Sequence, residues 1–354
     1  MNVDGKEFLV NKTNDIVDNN PKLISIIKEI SKYKKYALIS LVIGLFFVIL
    51  GPVAAVYFYS TWQVSKSFLW LLLIVFAIII VVLGVCALAI YMSFNRKAKN
   101  QKLDQAVTDI LYENKSIQSV YGEFYYKFID DEKTDNFEIK IVRRIPKVEV
   151  YESSYKNWLS KRVLAINNNT QNSFHFTYKD KKVSFFIKNP KKFIEYYYST
   201  DSKGNTTRHE KINFISNAAV FMENTKFDES YNGLRVVQEK DPKKGLFQTD
   251  SIEFNKRFYI NANDNDLRAA KFLSPRLIEK LSSIEVQNIY SVGIENEIYA
   301  DWFQVKKNSY VHDVCAFDTH SVYSIASFKK MLIDKITQDF YLFEHLFNCV
   351  RAVY

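Results

Sequence analysis

Residues 37–59, ALISLVIGLFFVILGPVAAVYFY, and residues 68–92, FLWLLLIVFAIIIVVLGVCALAIYM, decide the fold class. Both runs are free of Asp, Glu, Lys, Arg and His. A helix needs about 20 apolar residues to cross a hydrocarbon core about 30 Å thick, and each run exceeds that length. Peptide groups find no water in hydrocarbon, so two spanning helices are expected, joined by a polar loop at 60–67. The first run begins late and a second follows it, which disfavours a cleaved signal peptide.

Working outward from these runs, lysine and arginine crowd one side of the membrane. Lys22, Lys28, Lys32, Lys34 and Lys35 precede the first run, and Arg96, Lys97, Lys99 and Lys102 follow the second. The loop offers Lys66 alone. By the positive-inside bias the chain is a multi-pass protein of the cell (plasma) membrane with both termini cytoplasmic. Tyr57, Tyr59, Trp62, Trp70 and Tyr91 stand near the expected interfaces, where amphipathic rings anchor a span. Gly51-Pro52 is expected to kink the first helix. Gly44 and Gly51 are expected to pack against the second span.

The chain has 354 residues, 48% of them hydrophobic, and a net charge of +9. That leaves room for a folded part of about 250 residues beside the hairpin. The basic balance suits the lipid bilayer and its anionic surface, and nucleic acid is not an expected partner. Cys86, Cys315 and Cys349 form no C-x-x-C pair, which suits a reducing compartment.

Residues 1–20 read as polar and poorly ordered. Asn20-Pro21 then reads as an N-cap and first helical residue, with Leu23, Ile26, Ile27 and Ile30 on one face of the helix that follows. Leu103, Val107, Ile110 and Leu111 offer a matching stripe for an antiparallel partner; the alternative is a helix lying in the headgroup layer. From Phe124 onward alternation takes over. Strands are expected at 137–141, 147–151, 174–178 with 183–185, 194–200 with 206–215, 218–222, 234–239, and 289–294 with 297–303. Asp264 or Asp266 caps a helix at 267–273, Ser274-Pro275 starts another to Leu281, and a last helix runs over 321–347.

The fold class expected is α+β. A two-helix transmembrane hairpin with juxtamembrane helices precedes a largely antiparallel β cytosolic domain with covering helices. The divisions are 1–36 (cytoplasmic segment with an amphipathic helix), 37–92 (hairpin), 93–120 (cytosolic stalk helix) and 121–354 (cytosolic α+β domain).

Phe254-Asn255-Lys256-Arg257-Phe258-Tyr259-Ile260, then Asp264, Arg268-Ala269-Ala270 and Leu273-Ser274-Pro275 through Leu281, resemble a bacterial membrane-protein family. The family is known as domain of unknown function 3137. The similar features are a Phe-x-x-x-Phe strand, an acidic turn, a helix start, a proline restart and a glutamate-leucine end. The family-motif residues are Phe254, Phe258, Asp264, Pro275 and Leu281. Its members are also similar in carrying an N-terminal pair of spans. The resemblance implies an architecture and no activity.

Glycine spacing excludes whole classes of chemistry. No two of the nine glycines lie closer than Gly44 and Gly51, so neither a Walker A loop nor a dinucleotide fingerprint exists. H-E-x-x-H, G-x-S-x-G and kinase signatures are also missing. In a continuous strand His312, Asp318 and His320 would share one face, a donor set that suits zinc or iron. The competing reading is a surface strand and loop that caps the last helix. His175 and His209 read as packed or solvated side chains, and the aromatic richness from Tyr121 to Phe221 as sheet core. No catalytic residue and no cofactor are assigned.

The favoured function is a non-catalytic, membrane-anchored interaction or scaffold module with protein partners or a homo-oligomer. The alternatives are a membrane-bound metal-dependent hydrolase using His312, Asp318 and His320, and anionic-lipid binding by the basic juxtamembrane segments. Lys28, Lys32, Lys34, Lys35, Arg96, Lys97 and Lys99 set the topology in each case.

Overall fold

The computed structural model describes residues 3–98, 109–111, 116–128, 134–141, 149–156, 170–188, 191–238, 247–283, 291–307 and 322–354. The chain divides into two compact units. One comprises Asn14–Leu111 with Asp318–Met331, and the other Met1–Thr13, Tyr112–Phe317 and Leu332–Tyr354.

The first unit is built on helices α2 (Pro21–Ser65) and α3 (Phe68–Ala98). Asn20 caps α2 by accepting the Leu23 N–H at 3.0 Å, and Pro21 opens its first turn. The helix runs unbroken through Pro52 to Ser65, where Lys66 adopts the left-handed conformation and donates its N–H to the Trp62 carbonyl. The expected loop at 60–67 therefore shrinks to Lys66 and Ser67, because the polar residues 60–65 continue the helix. Both helices are long and apolar enough to cross a membrane, with only 11% of each apolar window buried. Leu38, Val56 and Phe68 are more than 60% exposed, so the hydrophobic side chains face outward. Water would penalise such a surface by about 25 cal/mol per Å², whereas hydrocarbon would not.

The inward seam is made of small residues. Ala37, Gly44 and Gly51 are buried on α2, and Ala77 and Gly84 on α3. A Cβ on Gly84 would lie 2.9 Å from the Val48 backbone nitrogen, and one on Gly51 would lie 2.5 Å from Val81 Cγ2. The glycines thus let the two backbones approach, as expected for Gly44 and Gly51. Leu23, Ile27 and Ile30 are fully buried on the N-terminal part of α2, where Ser31 donates to the Tyr323 carbonyl. Of the stripe offered as their partner, Leu103 and Val107 lie outside the described residues.

Helix α1 (Val3–Asp18) corrects the expectation of a poorly ordered N-terminus. Its buried positions Gly5, Leu9, Thr13 and Val17 recur every four residues on one face.

The second unit holds a ten-stranded sheet. Its strands are β1 (Thr134–Ile141), β2 (Glu149–Tyr151), β3 (Thr170–Tyr178), β4 (Lys181–Lys188), β5 (Lys191–Thr200), β6 (Thr206–Glu223), β7 (Arg235–Gln238), β8 (Phe258–Ile260), β9 (Ser291–Glu295) and β10 (Glu297–Lys307). The order is β1-β3-β4-β6-β10-β9-β7-β8, with β5 on β6 and β2 on β5. Among the described residues every pairing is antiparallel except β2 with β5. The α+β class holds in this coarse form. Strand β6 merges the two separate strands expected at 206–215 and 218–222.

Helices α4 (Ser116–Phe128) and α8 (Ile325–Val353) supply the aromatic core. Phe340, Phe343 and Phe347 follow helical spacing on α8 and meet Phe174, Phe176, Phe185 and Tyr178 of β3 and β4 at 5.2–5.7 Å. Tyr121 and Phe124 of α4 close the same layer against Phe340. The opposite sheet face buries a second cluster of Phe186, Ala219, Phe221 and Tyr299. Three short helices, α5 (Ile252–Arg257), α6 (Leu267–Phe272) and α7 (Pro275–Ser283), lie in sequence around β8.

Candidate functional site

The residues singled out for chemistry resolve unevenly. His312, Asp318, His320 and Lys99 lie outside the described residues. Among the described residues no group of three or more His, Cys, Asp or Glu side chains could hold a metal ion. His175 is packed against Phe186 and held between Ser184 Oγ and Ser173 Oγ, each 3.0 Å from a ring nitrogen. Cys349 is buried, which pushes its thiol up to about 12 and makes it a poor nucleophile.

Of the residues that carry the family resemblance, Phe254, Phe258, Pro275 and Leu281 take packing or helix-start positions, and Asp264 does not. Phe254 and Phe258 are buried and stack at 5.5 Å, but Phe254 lies on α5 rather than on a strand. Ser251 accepts the Phe254 N–H at 3.2 Å and so starts a helix where a strand was expected. Asp264 is exposed, and Asp266 is the residue that caps α6 through the Arg268 N–H at 3.0 Å. That hydrogen bond and the Arg268 guanidinium hold the Asp266 carboxyl below its usual range, the side-chain contact with Arg268 first among the causes. Ser274 caps α7 ahead of Pro275, and Leu281 is fully buried.

Of the α2 lysines expected to set the topology, Lys28, Lys32 and Lys35 share one exposed face, opposite the buried Leu23, Ile27 and Ile30. Lys34 lies half-buried 4.7 Å from the Tyr323 ring centroid. Arg96 and Lys97 are exposed in the last turn of α3.

A basic recess of about 310 Å³ is lined by Arg276, Glu279, Lys280, Ser283, Asn348, Arg351 and Ala352. Lys280 and Arg351 sit in the last turns of α7 and α8, where they answer the negative pole of each helix, whereas Arg276 stands in the first turn of α7. Lys226 Nζ donates to the Val353 carbonyl at 2.6 Å in the same sense. Interaction with the helix ends accounts for Lys280, Arg351 and Lys226.

The most distinctive surface is a ribbon made by β5 and the first half of β6. Their register runs from Lys191↔Ile215 to Thr200↔Thr206 without a shift. Strand β10 reaches only Asn213 of β6, β4 only 218–222, and β2 only 191–193 of β5. Residues 194–200 and 206–212 therefore pair with each other alone among the described residues. At about 3.3 Å per residue they extend on the order of 20 Å past the described parts of the neighbouring strands.

Isolated two-stranded ribbons are marginal in water, and this one is reinforced side chain by side chain. On one face the Arg208 guanidinium carbon lies 3.6 Å from the Tyr196 ring centroid. On the other, Tyr197 stacks on His209 at 5.1 Å, Ser199 Oγ lies 2.6 Å from His209 Nε2, and Lys211 pairs with Glu195 at 3.8 Å. Such cross-strand pairs contribute about 0.2–1 kcal/mol each. At the tip Asp201 accepts N–H groups from Asn205 at 2.8 Å and Lys203 at 2.9 Å, and Gly204 supplies a φ of 81°. The Asn205 backbone hydrogen bond is the main reason the Asp201 carboxyl sits below its usual range. Tyr197 and Tyr198 remain 54% and 66% exposed. Alternation revealed this hairpin in the sequence; its projection depends on where β10 and β4 stop, which no local pattern records.

No protein-family model, curated protein or solved structure matches this chain.

Proposed function

We propose that this chain is a non-catalytic, membrane-anchored interaction module of the cell membrane, with both termini and the sheet unit cytoplasmic. The observation that carries the reading is the character of the hairpin. Its apolar runs contain no charged residue or histidine, and its seam is closed by Gly44, Gly51 and Gly84 against the facing helix. Conduits and pumps place ionisable groups within the bilayer, and this hairpin has only packing to offer. It is therefore an anchor. The exposed lysine faces flank it on the side assigned to the cytoplasm, in keeping with the positive-inside bias. Kinship with domain of unknown function 3137 is part of the same proposal, on the shared layout of an N-terminal pair of spans.

Alkaline carbonate washing of membranes, followed by protease treatment of sealed right-side-out vesicles, tests the anchor and its orientation. The chain stays with the pellet and the sheet unit is protected. Release by carbonate, or digestion of the sheet unit from outside, would overturn the reading. In-cell crosslinking with mass spectrometry then tests the interaction role, and recovery of neither a stoichiometric partner nor a self-adduct would remove it.

The Lys28, Lys32 and Lys35 face favours a second role in binding anionic lipid headgroups. Reconstituted chain should recruit fluorescent phosphatidylserine around itself in a salt-sensitive manner, and Lys28→Gln/Lys32→Gln/Lys35→Gln should abolish this. Enrichment unaffected by salt or by these substitutions refutes it.

A further inference from the structure

Among the described residues nothing pairs with the two outer edges of the ribbon, and the edges differ in how they are guarded. Exposed strand edges invite pairing with other chains, and proteins blunt them with charges (lysine above all), proline or bulges. The β6 edge at 206–212 carries Arg208, His209, Glu210 and Lys211. The β5 edge at 194–200 reads Ile-Glu-Tyr-Tyr-Tyr-Ser-Thr, with a single charge, no lysine and no proline. Its register is regular throughout, so no bulge interrupts it. Its composition is among the most favourable for a strand. One edge is protected and the other is kept competent to pair.

The same seven residues are self-complementary. In an antiparallel pairing about a two-fold axis at Tyr197, that residue meets its own copy, Tyr196 meets Tyr198, Glu195 meets Ser199 and Ile194 meets Thr200. Aromatic rings face aromatic rings, and the one carboxylate faces a hydroxyl rather than another carboxylate. Two-fold pairing is also the commonest symmetry of soluble oligomers. Main-chain hydrogen bonds along the edge would supply affinity, and the tyrosines register.

We infer that the outer edge of β5 pairs antiparallel with the same edge of a second copy of this chain, joining two ribbons into a four-stranded sheet. The inference deepens the interaction role proposed above by naming the surface and its partner, and rests on that reading only for the confinement that raises local concentration. Formation of the pair leaves the membrane hairpin unchanged.

The test uses the full chain in detergent micelles. Ser199→Glu places a carboxylate opposite Glu195 of the other copy twice per dimer, and Ser199→Lys places an ammonium there. Within its own ribbon residue 199 faces uncharged Thr207, and both variants give up the Ser199 hydroxyl contact with His209 alike, so a difference between them that appears only in the monomer–dimer equilibrium reports the pairing. Light scattering after size exclusion should show Ser199→Glu dissociating roughly tenfold more readily than wild type and Ser199→Lys roughly tenfold less. In a Cys86→Ala/Cys315→Ala/Cys349→Ala background, Tyr197→Cys should form a disulfide dimer on mild oxidation, since directly opposed residues have Cα atoms about 4.5–5.5 Å apart. Tyr198→Cys should link far less, because it faces Tyr196. A monomeric wild type, equal behaviour of the two Ser199 variants, or equal linking of the two cysteine variants would each overturn the pairing. So would occupancy of the edge by a different protein. A chain that fails these tests while resisting carbonate extraction would refute the pairing and leave the anchor standing.

Discussion

Replacing Asp339 is the sharpest test of how the sheet unit is held together. Asp339 is fully buried on α8, and Lys335, one turn earlier, keeps only 5% of its side chain exposed. Lys335 Nζ lies 2.5 Å from Asp339 Oδ1, and Tyr121 of α4 donates its hydroxyl to Asp339 Oδ2 at 2.7 Å. At an effective dielectric of about 20, two unit charges at that separation attract by roughly 7 kcal/mol. The several kcal/mol of hydration that each ion loses on burial offsets most of this, so the intact pair contributes little net stability. Breaking it is different. Asp339→Ala leaves an ammonium buried without that carboxylate and the Tyr121 hydroxyl without that acceptor, at a cost of about 3–5 kcal/mol. Lys335→Met/Asp339→Leu removes both charges and should fall within about 2 kcal/mol of wild type. Adding Lys335→Met to Asp339→Ala should therefore recover about 2 kcal/mol. Pulse proteolysis of the detergent-solubilised full chain across a urea series measures the cycle of wild type, Asp339→Ala, Lys335→Met and Lys335→Met/Asp339→Ala, with Lys335→Met/Asp339→Leu beside it. Additive effects in that cycle would refute the claim that the pair is desolvated and coupled.

The same substitution should have opposite signs at two helical glycines. Gly84→Ala pushes a Cβ onto the Val48 backbone and should destabilise the hairpin by about 1–3 kcal/mol, whereas Gly122→Ala on α4 meets nothing within 4 Å and should stabilise by about 0.5–1 kcal/mol. Equal shifts in thermal unfolding would count against the packed seam. Glu297 lies opposite Glu223 on β6 and Glu295 on β9; burial first, and the Glu223 charge second, raise its carboxyl above the usual range. A raised folded-state pKa favours the fold below the unfolded value, and that benefit is lost as pH rises through the folded one. Glu297→Gln should therefore stabilise by about 0.5 kcal/mol near neutrality, with the gain vanishing in acid. A gain independent of pH would exclude this cause. Asp266→Ala should lower the melting temperature and Asp264→Ala leave it unchanged, since only Asp266 caps α6; the reverse order would contradict the cap.

Where the sequence was legible, one physical signal dominated. The two long apolar helices could be read because their runs exclude every charged residue, and the β3–β4, β5–β6 and β9–β10 hairpins because strand pattern and turn chemistry agreed. Helix α1 escaped because its buried stripe is Gly5, Leu9, Thr13 and Val17, of which only two are large and apolar. Strand β6 was cut in two because Ser216 and Asn217 read as a polar break, yet both are buried within the sheet. Phe254 and Phe258 suggested a strand, but a spacing of four is also one helical turn, and the Ser251 hydroxyl decides between them. The ribbon shows the deeper limit. Local residues specify its turn, its register and the guarding of its edges, but whether an edge is exposed depends on distant strands ending at Asn213 and Ala218. A strand's partners are a property of the whole sheet, and the surface proposed for pairing is the one place where local sequence and global topology had to be read together.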